Sequence, residues 1–302
     1  MDKTKIVYYA FPFHIDMVER TILQLKRAAN YSDTKKYLCL DIVLDVSDDN
    51  FEWDKCSIPK QFFIDKFKSL EKYCDFCLEV NFRVDTKLKS SGEHQRQILE
   101  TNNGEYNLIW LDPDIYFPIE IFYVLENMVH TIEEANETST YMITPQVAKF
   151  WDPSWNIISN EKYINLPIKC DEINVYELDS CDVENIDVIK NYNHKFAGGW
   201  FNFHSKELTK LMKLPKSIGV FHHIDLFQQE RFKILNSKGH NIPQFIIKNC
   251  VLLEDRKYYL EHSYYNFWDK YIPLKKGSSG YSQDPDKIFK NVIKELKKIN
   301  NG

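Results

Sequence analysis

Two carboxylates one residue apart, at the end of an apolar run, carry the sharpest chemical signal in this chain. Asp112-Pro113-Asp114 directly follows NLIWL and precedes IYFP. Carboxylates at i and i+2 suit a hard divalent cation such as Mn2+ or Mg2+, which takes oxygen ligands. Chance alone yields on the order of two D-x-D triplets in a chain with 23 aspartates, and two are present. Context separates them. Asp284-Pro285-Asp286 stands in a Gly/Ser-rich stretch before the last amphipathic segment and reads as a helix cap. The competing reading for Asp112 and Asp114 is a pair of solvent-facing turn residues. Their place at the carboxyl end of a strand-like run favours the metal.

Other residues have chemical and bland readings side by side. Asp225 begins a helix-like run, so it is either a general base or a carboxylate stabilised by the helix dipole. His222 and His223 precede it as metal or phosphate ligands, or as ordinary polar residues at a helix start. Gly198-Gly199 is the only adjacent glycine pair and leads into Trp200; a close backbone approach to a sugar competes there with a plain turn. Trp151, Trp155, Trp200 and Trp268 could stack on sugar faces, though large aromatics usually belong to cores. Cys74 and Cys77 read as buried helix and strand residues. The lysines of the tail (287, 290, 294, 297, 298) form either a solvated helix face or a contact with an anionic membrane.

The elements that must position these groups alternate. Strand-like runs cover 5–10, 37–46, 78–84, 107–111 and 141–144; helical periodicity marks 15–29, 62–74, 93–100 and 118–132. This order predicts an α/β fold with a mostly parallel, Rossmann-like sheet flanked by helices. Ligands of such sheets sit beyond the carboxyl ends of the strands, so the loops after Ala10, Val46 and Leu111 should converge. Residues 150–195 are irregular and acidic, a long excursion over the sheet. Beyond them, Ser205 caps a short helix, 225–237 is helical and stops at Gly239, 243–253 is a strand and 286–300 a terminal helix.

Composition narrows the classes further. The chain has 302 residues, 43% hydrophobic and 27% charged, long enough to bury a core without staples. Only 9 residues are glycine, and neither GxGxxG nor GxxxxGK[ST] occurs, so glycine-rich phosphate cradles are excluded. A net charge of −5 argues against nucleic acid as partner. Seven scattered cysteines, a start without an apolar leader and no apolar run of membrane length predict a cytoplasmic protein.

The segment YNLIWLDPDIYFP resembles the DxD region of GT-A-fold glycosyltransferases of the family-2 kind. The resemblance runs from about residue 5 to 262 and implies a nucleotide-sugar donor, UDP-linked by preference, with a glycan or other hydroxyl acceptor. It assigns Asp112 and Asp114 to a Mn2+ or Mg2+ ion against the donor diphosphate, with His262 as a third ligand. The loop carrying Ala10 and Phe11 becomes the first nucleotide contact, Asp45 the reader of the base, and Arg96 a phosphate or base contact. FAGGWFNFHSKEL resembles the segment that approaches the sugars, through Gly198, Gly199 and Trp200. HHIDLFQQERF matches a segment that in many relatives begins Glu-Asp; here His222 and His223 replace the acidic pair, which leaves Asp225 as the base and implies inversion. The implied organisation is one catalytic domain over 1–265, with a nucleotide half (1–145) and an acceptor half (146–265), then a helical extension (266–302) with peripheral membrane contact.

Three alternatives compete. A sugar nucleotidyltransferase wants an early glycine-rich basic loop, and FPFHIDMVER has none. A haloacid-dehalogenase-type phosphatase wants its DxD on the first strand. A catalytically inactive glycan-binding relative would keep the fold and lose turnover.

Overall fold

The computed structural model describes residues 1–88, 90–113, 115–136, 138–149, 168–169, 180–194, 201–218, 223–254 and 285–300. Asp114, Gly198, Gly199, Trp200, His222 and His262 lie outside these residues.

The first half folds as its periodicity requires. Strands β1 (Thr4–Ala10), β2 (Leu38–Asp45), β3 (Glu79–Asp85) and β4 (Asn107–Leu111) alternate with helices α1 (Ile15–Ser32), α2 (Lys60–Ser69) and α3 (Ser91–Asn102). β2 lies in register between β1 and β3, and β1 between β2 and β4, all parallel. Every residue of β2 and β4 is buried, the signature of strands covered on both faces. Local chemistry sets the helix ends. Ser90 accepts from the Glu93 N–H at 3.2 Å to cap α3, and Asp33 and Asn103 take left-handed backbone angles where α1 and α3 stop.

A two-residue strand β5 (Ile115–Tyr116) and α4 (Ile121–Glu134) then lead into β6 (Met142–Lys149). β7 (Ile168–Lys169) and β8 (Val188–Asn191) follow, then β9 (Phe201–His204), α5 (Lys206–Leu211), α6 (His223–Ser237), β10 (Gln244–Glu254) and α7 (Pro285–Asn300). The sheet order is β3-β2-β1-β4-β9-β6-β10-β5, with β7 beside β6 and β8 beside β10. The α/β class and mostly parallel sheet are as expected. The second half departs from pure parallel order: β9 runs antiparallel between β4 and β6, and β5 and β8 pair antiparallel with β10. β8 lies inside the region read as irregular.

Three apolar clusters fix the layers. The largest packs α1, α2 and α4 against one face of the sheet. A second joins Val7, Leu108, Trp110 and Met142 to Phe232 of α6 on the other face. A third seals Ile224 and Phe227 of α6 against Val292 and Leu296 of α7. Cys74 and Cys77 are buried free thiols, as expected, but they lie in the connection between α2 and β3 and not in a helix and a strand.

Candidate active site

Strand direction decides what meets at the carboxyl edge of the sheet. β1 and β4 end there at Ala10 and Leu111, and Asp112 follows at once. β9 is antiparallel, so it starts at that edge, with Phe201 opposite Leu111. The first described residue after the Gly198-Gly199-Trp200 stretch is therefore beside the Asp112 turn. β10 runs parallel to β6, and its last residues pair with β5, so Glu254 also ends next to that turn.

The turn itself is clamped. The carbonyl of Pro113 accepts from the Tyr8 hydroxyl at 3.4 Å and from Thr21 Oγ1 at 3.2 Å. A backbone fixed between two predicted ligand residues is what a preorganised metal site needs, and the oxygen chemistry of Asp112 fits Mn2+ or Mg2+. Among the described residues no group of three or more His, Cys, Asp and Glu side chains could hold a metal.

α6 brings Asp225 to the same edge. The helix precedes β10 and runs back along the sheet, so its N-terminus points to the carboxyl edge. Phe232 packs against His204, ring centroids 6.2 Å apart. Asp225 lies seven residues earlier on the same helical face, about 10 Å along the axis. Three strand residues from His204 back to Phe201 also span about 10 Å. Along the strand direction Asp225 thus stands about level with Phe201 and Leu111, one residue short of Asp112. Burial raises its carboxyl from the ordinary range to about 7, even though a helix N-terminus favours the charged form. Dipole stabilisation alone would have lowered it.

The other expected contacts have firm positions. Asp45 ends β2, fully buried, and accepts from Tyr9 Oη (2.6 Å), Asn50 Nδ2 (2.6 Å) and the Ser47 N–H (2.8 Å). Burial pushes its pKa up against the downward pull of these bonds. Ala10 and Phe11 are buried, and Phe11 packs on Tyr9, Phe13 and Phe51. Arg96 donates from Nη1 to the carbonyls of Pro215 (3.1 Å) and Ile218 (2.6 Å), anchoring the segment that leads to α6. His223 opens α6.

One polar group escaped the sequence reading. Asp41 sits mid-strand in β2, accepting from Asn81 Nδ2 at 2.8 Å, with His94 Nε2 at 3.4 Å and Arg83 at 3.7 Å. Burial acts upward on Asp41, but His94, Asn81 and Arg83 hold its pKa below the usual range. His94 is pushed down by its own burial. The available signal was one charge inside LCLDIVLD, a strand otherwise apolar up to its final residue.

No family model matches this chain, and no curated protein does. Two solved structures align with it. TarS residues 1–349 from S. aureus align at 13% identity over 84% of this chain and 61% of that one, TM-score 0.44. A mannose-1-phosphate geranyltransferase from Thermus thermophilus aligns at 11% identity over 83% and 76%, TM-score 0.37. This chain therefore spans less than two thirds of the TarS fragment.

Proposed function

We propose that this protein is a metal-dependent glycosyltransferase that moves a sugar from a nucleotide donor, UDP-linked by preference, to a glycan or other hydroxyl acceptor. The observation that carries the reading is the meeting of the Asp112 turn, the start of β9 and the Asp225 end of α6 at one edge of the sheet. Asp112, Asp114 and His262 would hold Mn2+ or Mg2+, which supplies Lewis-acid stabilisation of the departing diphosphate.

The chain's own groups do the rest. An acceptor hydroxyl has a high pKa and reacts only when a base takes its proton as the bond forms. Asp225, whose burial raises its pKa to about 7, would accept that proton at neutral pH, the role that direct displacement with inversion asks of a base. The side chains of Ala10 and Phe11 belong to the core, so donor contacts from that loop fall to its backbone. Residues 1–265 act as the catalytic unit and 266–302 as an extension.

The direct test is incubation with UDP- and GDP-sugars and Mn2+, following nucleotide release. Release that disappears with EDTA and in Asp112→Ala supports the reading. No binding of any nucleotide sugar removes it. Binding without turnover in wild type favours the inactive glycan-binding alternative.

The last helix supports a membrane-peripheral setting. Val292 and Leu296 are buried against α6, while Lys290, Lys294, Lys297 and Lys298 face outward. Each such lysine is worth about 1 kcal/mol near an anionic surface. Sedimentation with phosphatidylglycerol vesicles should exceed that with phosphatidylcholine vesicles severalfold and vanish in high salt, where charges are screened. The Lys290→Glu, Lys294→Glu, Lys297→Glu variant should lose it. Equal sedimentation with both lipids rejects the membrane role.

A further inference from the structure

β10 breaks its register with β6 at one place. Ile247 pairs with Pro145 and Val251 with Gln146, so residues 248–250 are extra in β10. Pro145 brings no N–H to the ladder, and a bulge is where a sheet tolerates that. The extra residues turn to the segment ahead of β8. The Lys248 N–H donates to the Asp187 carbonyl at 2.9 Å, Lys248 Nζ pairs with Asp187 Oδ2 at 2.6 Å, and Asn249 Nδ2 donates to the Asn185 carbonyl. Asn249 is exposed; Cys250, the next residue, is fully buried in the largest apolar cluster.

Cys181 reaches the same place from the other segment. It is half-buried and packs against the same cluster. Its N–H donates at 3.0 Å to Oε2 of Glu120, a buried residue just ahead of α4. The two cysteine side chains are hydrogen-bonded to each other, with Cys250 donating to the Cys181 sulfur.

The surroundings divide the roles. The bond from Cys250 draws the Cys181 thiol below its ordinary value, against burial and the nearby charges of Glu120 and Asp182. The same bond, with burial, pushes Cys250 well up. Burial also raises Cys39, Cys56, Cys74 and Cys77, Cys74 to about 12. The thiolate is the reactive form, so Cys181 is the described cysteine set to react first, with Cys250 behind it as the resolving thiol. Cys170 lies outside the described residues.

We propose that Cys181 and Cys250 are a peroxide-responsive pair that closes to a disulfide between β10 and the segment ahead of β8. The Cys181 thiolate attacks one oxygen of hydrogen peroxide: an S–O bond forms, the O–O bond breaks, and hydroxide leaves to take up the proton that Cys181 shed. The Cys250 thiol then attacks the Cys181 sulfur. The S–S bond forms, the S–O bond breaks, and the sulfenic oxygen departs as water with the Cys250 proton. Two thiols lose two electrons and peroxide becomes two waters. A small dithiol reverses the step by exchange, which is how a disulfide serves where thiols are kept reduced. The bond closes a loop of roughly 70 residues. Past it, β10 goes on to pair with β5 beside the Asp112 turn, so the tie is made next to the candidate site.

The test treats the full reduced chain with hydrogen peroxide. Wild type should lose two of its seven thiols, and peptide mapping without reductant should join Cys181 to Cys250. The melting temperature should rise by about 5 °C, because the closed loop constrains the unfolded chain. Dithiothreitol should return both readings to their starting values. Cys181→Ser changes a half-buried site; it should lose thiols about tenfold more slowly and show no melting shift. Cys250→Ala lacks the resolving thiol, so dimedone, which captures sulfenic acids, should label Cys181 in that variant. Wild type and Cys181→Ser decide the matter even where Cys250→Ala does not fold. A bridge that uses Cys170 in place of either partner overturns the proposal, as does survival of all seven thiols in the folded wild type. Dimedone on Cys56 or Cys170 ahead of Cys181 overturns it too. So does a Cys181–Cys250 bridge that lowers the melting temperature, since the fold must then distort to admit the bond.

Discussion

Replacing Asp225 with Asn is expected to reduce turnover by about 10²–10⁴-fold, the usual contribution of a positioned general base. Binding of the nucleotide sugar should be retained, because the acceptor proton and not the donor contacts the carboxylate. Wild-type turnover should rise with pH through a midpoint near 7, the pKa that burial gives this group. Stability should move the other way. In the unfolded chain Asp225 ionises near 3.8, and in the fold near 7. Between those values the native state binds the extra proton, so wild-type stability falls as pH rises and levels off above 7. Asn binds no such proton. Asp225→Asn should therefore be more stable than wild type at pH 8 and gain nothing at pH 4. Melting curves at both pH values check this. A structural carboxylate serving the helix dipole predicts the reverse: lower stability at pH 8 and unchanged turnover. That pattern would remove Asp225 from the chemistry.

The groups most legible in the sequence were those whose periodicity is long and unbroken. Residues 107–111 read as a strand and fold as one with the same bounds; the helices around Val18, Ile98 and Val129 formed where their apolar spacing placed them, while the helix around Phe67 ends at Ser69, short of the Leu70 and Cys74 that its spacing included. Mixed strand direction was harder to see. β9 has four residues and β5 two, too short for alternation to show direction, and their antiparallel placement follows from long-range pairing with β4 and β10. The contact of Cys181 with Cys250 was hidden for another reason. The two thiols stand in separate segments, among cysteines that no spacing links; only the fold brings them together. Asp41 lies between these cases, since a charge inside an apolar strand announces a partner without naming His94.

Asp45 shows the same limit from the functional side, because its type and position suit a base contact while its surroundings give it a second task. Both carboxylate oxygens are engaged: Oδ2 by Tyr9 and Asn50, Oδ1 by the Ser47 N–H. Asp45→Ala would strand three donors in the interior at once. The expected loss is about 3–5 kcal/mol, a fall in melting temperature of roughly 10 °C for a chain of this size. The pH dependence has a definite sign. Burial raises the folded pKa of Asp45 above its unfolded value, so ionised Asp45 costs stability as pH rises. Alanine lacks that cost, and the damage from Asp45→Ala should be greater at pH 5 than at pH 8. Tyr9→Phe removes one of the three donors and should cost only about 1 kcal/mol; combined with Asp45→Ala it should cost less than the sum, because one orphan disappears. Asp45→Asn separates scaffold from reader. As a wall of the site it keeps one acceptor oxygen, loses part of the stability and leaves the preference among UDP, GDP and ADP unaltered. As the group that reads the base it would change that preference with little loss of stability, and this outcome would give Asp45 the contact role that its place at the end of β2 suggests.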